Sequence, residues 1–112
     1  MRRALPWLTI ALISLFLFGC SKQPPTMQLS TEINGRDVLL RIDLQHFNLP
    51  KDGHVHLYLD DIPDPVMIQR TTYTFHNLRP GPHLIRVQLT DPNHNPLPDP
   101  AATDEKIPVT IA

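Results

Sequence analysis

The sequence predicts an all-β antiparallel sandwich of about seven strands, and three observations predict it. Apolar residues recur at a period of two in several short runs: Val38, Leu40, Ile42 and Leu44; Val55, Leu57 and Leu59 against His54, His56 and Tyr58; Tyr73 and Phe75 between threonines; Ile85, Val87 and Leu89 around Arg86 and Gln88. Turn-forming clusters separate the runs, at Asn34-Gly35, Lys51-Asp52-Gly53 and Arg79-Pro80-Gly81. No window repeats at the helical period, and the 13 prolines break most helices that could be drawn.

Taken in order, the strands are expected near Met27–Ile33, Arg36–Leu44, His54–Asp60, Val66–Gln69, Thr72–Asn77, His83–Thr90 and Lys106–Ile111. Pro108 cannot donate to a ladder, which puts the last strand at an edge. The proline-rich stretch Pro92 to Pro100 reads as a long exposed loop. Seven strands at this spacing give an immunoglobulin- or fibronectin-like sandwich, here without a buried cysteine pair because Cys20 is the only cysteine. The stretch Leu78-Arg79-Pro80-Gly81-Pro82-His83 resembles the turn into the sixth strand of such sandwiches, where tyrosine often stands at the last position. His83 shares the parity of Ile85 and Val87, so its ring is expected to turn inward or to the sandwich edge and to hydrogen-bond nearby backbone.

Ahead of the strands comes an address. Met1-Arg2-Arg3 followed by an apolar run from Leu5 to Phe18 has the charged and apolar regions of an export signal, and the run is shorter than the roughly 20 residues that span a bilayer. Leu17-Phe18-Gly19-Cys20 resembles the lipobox of bacterial lipoprotein precursors, although Phe18 replaces the small or aliphatic residue usual there. That resemblance implies cleavage before Cys20 and lipidation of its sulfur. The chain then divides into a signal peptide at 1–19, a lipidated cysteine and stiff tether at 20–26 containing Pro24-Pro25, and a sandwich domain at 27–112. Several acyl chains anchor a protein durably where a single one does not. Ser21 rather than aspartate after the cysteine resembles the pattern of Gram-negative lipoproteins sent to the outer membrane. The plain alternative is an uncleaved N-terminal anchor, which also leaves the body outside the cytoplasm and tethered to a membrane.

Charge and residue supply exclude several function classes. Without Arg2 and Arg3, eight lysines and arginines face eleven aspartates and glutamates, a net charge of minus three that does not suit nucleic acid. An acylated Cys20 leaves no thiol for catalysis, disulfides or metal binding. Ser21 and Ser30 are the only serines after the anchor, and neither sits in a nucleophile motif. Asp91, Asn93 and Asn95 begin like a calcium loop, but Pro96 stands at the glycine position and Ala102 at that of the closing glutamate. Asp60 and Asp61 read as a solvated turn. The domain is expected to bind rather than to catalyse.

Histidine is the residue left to account for. His54 and His56 are two apart on one strand face, with α-carbons about 6.5 Å apart, so both rings can reach one ion. The third and sixth strands of such a sandwich are neighbours, which brings the loop Asp91–Pro96 beside the start of the third strand. His46, His54, His56 and His94 are therefore expected at one end. His83, His76, Asp60 and Asp61 fall at the other, roughly 20 Å away.

Gly53-His54-Val55-His56, then Pro80-Gly81-Pro82-His83, then Asp91-Pro92-Asn93-His94 resemble the GHxH, PGxH and DxxH motifs of a family of small bacterial secreted or lipid-anchored domains of unknown function. The resemblance implies a metal-binding or copper-related role and a shared site of His54, His56, His83 and His94, which conflicts with the topological placement of His83. His54-Val55-His56 and His46-Phe47-Asn48 also echo copper-zinc superoxide dismutases, but the order is wrong and the disulfide cysteines are absent. Imidazole ligands suit copper or zinc rather than calcium or magnesium, and the absence of thiolates leaves copper(II) or zinc, with no cysteine to favour copper(I). Met27 and Met67 offer soft sulfur, but each reads first as sheet packing. The candidate ligands are thus His54, His56 and His94, completed by His46 or His83. Against this stands a plainer reading, in which His54 and His56 lie on a solvated face, His94 decorates a loop, and the domain is an interaction or scaffolding module of the cell envelope that uses its sheet edges.

Overall fold

The computed structural model describes residues 23–98 and 103–112; the export signal and Cys20 lie outside them. The body is all-β. Its strands are β1 (Thr26–Asn34), β2 (Asp37–Gln45), β3 (His54–Leu59), β4 (Val66–Ile68), β5 (Thr72–Phe75), β6 (Gly81–Thr90) and β7 (Asp104–Ile111). They form two antiparallel sheets, β1-β2-β5 and β4-β3-β6-β7. Pairing β2 with β5 and β3 with β6 follows the order of immunoglobulin-type sandwiches, with the fourth strand moved beside the third.

Period-two alternation does what the sequence says it should. Val38, Leu40 and Ile42 of β2 point between the sheets, opposite Val55 and Leu57 of β3 and Ile85, Val87 and Leu89 of β6. Met27, Ile68, Phe75, Leu78, Val109 and Ile111 complete the core. Each such side chain contributes about 1.5–3 kcal/mol on burial, and a one-residue slip would turn a whole strand's set toward water. Register is thereby held strand by strand.

Most boundaries fall within one residue of expectation and three differ by two. β7 begins at Asp104, two residues early, because Asp104 receives two hydrogen bonds from the Arg86 guanidinium across the β6–β7 ladder, at 2.9 and 2.7 Å. β5 stops at Phe75 because Asn77 takes a positive φ of 57° and donates its backbone N–H to Asp37 Oδ1 instead of to a ladder. β6 extends back to Gly81, where it pairs with Ile111. Pro108 does lie in an edge strand, opposite Leu84.

The stretch after β6 is tighter than a long exposed loop, at least as far as Pro98. Thr90 bridges to Pro96, and Leu97 packs on the core.

Candidate metal centre

Two local devices bring three histidines together. The first is Gly53, at φ 155° just before β3, where a Cβ would stand 1.7 Å from the Thr90 carbonyl oxygen. Only glycine lets the start of β3 pass this close to the end of β6. The register that follows sets His54 opposite Thr90 and His56 opposite Gln88.

The second device is Asp91. Its Oδ1 accepts the backbone N–H groups of Asn93 and Asn95 at 2.8 and 2.9 Å, its own N–H donates to the Asn95 carbonyl, and its carbonyl accepts from the His94 N–H. These bonds close a tight turn in which His94 adopts φ 69°, a left-handed conformation that histidine tolerates better than bulkier residues. The same backbone hydrogen bonds, Asn95 first, hold the Asp91 carboxyl below the usual range. A residue pattern that fails as a calcium loop thus works as a turn that aims His94 back over β3.

The His94 ring stacks on His54, with centroids 4.6 Å apart and planes 13° from parallel, and lies 5.4 Å and 25° from His56. His56 Nε2 and His94 Nδ1 share a hydrogen bond of 3.2 Å. On the other side, the Gln69 amide meets His54 Nδ1 at 3.2 Å. His56 is only 6% exposed, which overturns a solvated position for that ring: His94 covers it. Burial, and after it the neighbouring His94 and His54 rings, holds the His56 imidazole below its ordinary pKa and therefore favours the neutral form.

The other candidate ligands are elsewhere. His46, at φ 63°, lines a separate hollow with Phe47, Asp52 and Leu97 and shares no ring contact or hydrogen bond with the three. His83 opens the far end of β6, about 20 Å or more along the strand from Thr90. There its Nδ1 meets Asp60 Oδ2 at 2.5 Å and its Nε2 meets the Arg79 carbonyl at 2.6 Å. Both ring nitrogens face acceptors, so no lone pair is left for an ion. His83 is a clamp between β6 and the turn after β3, which corrects its place among the ligands and supports its expected bond to backbone.

Two residues beside the rings differ from their sequence reading. Gln69, expected as the last residue of the fourth strand, follows β4 and meets the His54 ring. Met67 lies directly across the ladder from His56 and is 58% exposed, so it is not a packing residue. Its signal was parity, since Ile68 beside it is buried.

As they stand, the three rings stack and hydrogen-bond rather than converge. Among the described residues no group of three or more histidine, cysteine, aspartate or glutamate side chains is arranged to hold a metal ion. The preset feature is the nitrogen pair of His56 and His94.

Comparison with known proteins returns nothing. The chain matches no family model, no curated protein and no solved structure.

Proposed function

We propose that this protein is a lipid-anchored, extracytoplasmic binding module that captures copper or zinc through His56 and His94, with His54 as the third ligand. One observation carries the reading: the 3.2 Å between His56 Nε2 and His94 Nδ1. Two nitrogens bound at 2.0–2.1 Å to a tetrahedral ion stand roughly 3.3 Å apart, so the pair already has the bite of a metal site. An entering ion takes the place of the proton that the two rings share, and that proton moves to the far nitrogen of its own ring, so each imidazole binds in its neutral form. His56, kept neutral by burial, offers its lone pair without first losing a charge. A turn of the Gln69 amide to present its oxygen would hold a proton on His54 Nδ1 and leave Nε2 for the ion, the outer-shell role that fixes a histidine tautomer. His46 and His83 take no part.

Metal titration tests the proposal. Full-length protein in detergent, prepared without a histidine tag, should bind about one equivalent of copper(II) or zinc. His56→Ala with His94→Ala should cost more than the 10–100-fold typical of outer-shell losses. Affinity should weaken as pH falls below the ordinary imidazole range and His56, whose pKa is lowered, takes up a proton. Binding with no defined stoichiometry, unchanged by these substitutions, would sink it.

A second reading has its own observation. β4 is a three-residue edge strand carrying exposed Val66 and Met67, with exposed Ile62 close before it. An open edge of this kind suits strand addition by a partner protein of the envelope.

A further inference from the structure

We infer that Met67 completes the centre as a soft ligand and makes it a copper(I) site. The inference rests on the metal reading above and narrows it to one ion.

The ladder supplies the first support. Met67 pairs with His56 across β3 and β4, and residues directly opposite on one face have β-carbons about 4.5–5.5 Å apart. Its neighbour Ile68 is buried between the sheets, so Met67 stands on the outer face with His56.

Exposure supplies the second. Met27 is buried in the core at 6%, whereas Met67 leaves 58% of its surface in water without contributing to any apolar cluster. A long apolar side chain gains little from that position by packing. Beside a buried imidazole it gains a role, because a thioether is a polarisable donor.

The third is the charge of the donor set. Asp104, the nearest carboxylate along the same row of the sheet, is occupied by Arg86 at 2.7 and 2.9 Å and by the Gln88 amide at 3.4 Å. Asp91, the carboxylate of the turn that carries His94, is taken up by the backbone N–H groups of Asn93 and Asn95, so the donors left to meet an ion are imidazole nitrogens and one thioether. Soft, uncharged donors favour monovalent copper, while zinc gains little from a thioether.

The experiment compares wild type with Met67→Leu, both full-length in detergent. Copper(I) affinity is read by competition with bicinchoninate under reductant, and zinc affinity by competition with a zinc chelator. Met67→Leu is expected to weaken copper(I) binding at least tenfold, to leave zinc within about twofold, and to abolish a sulfur shell in the X-ray absorption spectrum of the copper(I)-loaded protein. Because Met67 is exposed, the thermal midpoint should stay constant. Equal copper(I) affinity in the two proteins, with nitrogen scattering alone, overturns the role of Met67 and leaves the histidine reading standing. Wild type that binds neither copper nor zinc overturns both.

Discussion

His83 has an acceptor at each ring nitrogen, Asp60 on one side and the Arg79 carbonyl on the other, and so it is built to be doubly protonated. The Arg79 carbonyl first, and then Asp60, raise its pKa above the ordinary imidazole value. Burial works against ionisation of Asp60, yet His83 and the Leu84 N–H outweigh it and the carboxyl ends below its usual range. The stabilisation from His83 is therefore full below about pH 6.5 and is lost as pH rises through its raised folded value. That from Asp60 is present above about pH 3.9 and is lost as pH falls through its lowered folded value. Between those limits both partners are charged. His83→Gln should consequently cost most stability near pH 5–6, and its thermal midpoint should converge on that of wild type toward pH 9. Parallel curves across that range would refute the ion pair. His56 has the opposite bias, toward neutrality, so two histidines with the same sequence-level description perform different work because one meets acceptors and the other meets only burial and other imidazoles.

At the scale of elements, the turn from Asp91 to Asn95 decides whether the rings meet. Asp91→Ala removes the acceptor of two backbone N–H groups and lets His94 swing away from β3. Metal affinity should fall about tenfold, as for loss of an orienting outer-shell group, while the strands remain folded. Equal affinity in Asp91→Ala would show that the turn does not position the ring. The strands themselves were legible because each buries one face against a dry core, and burial writes itself into the chain as alternation at Val38–Leu44 and His54–Leu59. The meeting of His54, His56 and His94 was legible too, since it needs only β3 beside β6. The orientation of the rings was not. It depends on four hydrogen bonds inside a five-residue turn, and a proline-rich stretch gives no periodic signal from which to infer them. Met67 was misread for a related reason: in a three-residue strand, parity alone must decide whether a methionine is packed or displayed.

At the scale of the whole molecule, one prediction concerns the address rather than the fold. Cells given a palmitate analogue with a clickable tag should label the wild-type protein and not Cys20→Ala. An unlabelled wild type would remove the lipid anchor from the proposal and leave the uncleaved leader as the tether.

If Cys20 carries lipid as proposed, the topology also gives the molecule a polarity. β1 begins at Thr26, paired with Gln45 at the end of β2, and the chain then turns through 46–53 directly into His54. The tether and the imidazoles consequently share one pole of the sandwich, and the His83–Asp60 clamp occupies the other. Five residues separate Cys20 from Thr26, a leash of no more than about 20 Å. A cation caught by this protein would thus hang close above the phospholipid headgroups, presented to the bilayer side instead of to the open aqueous space beyond.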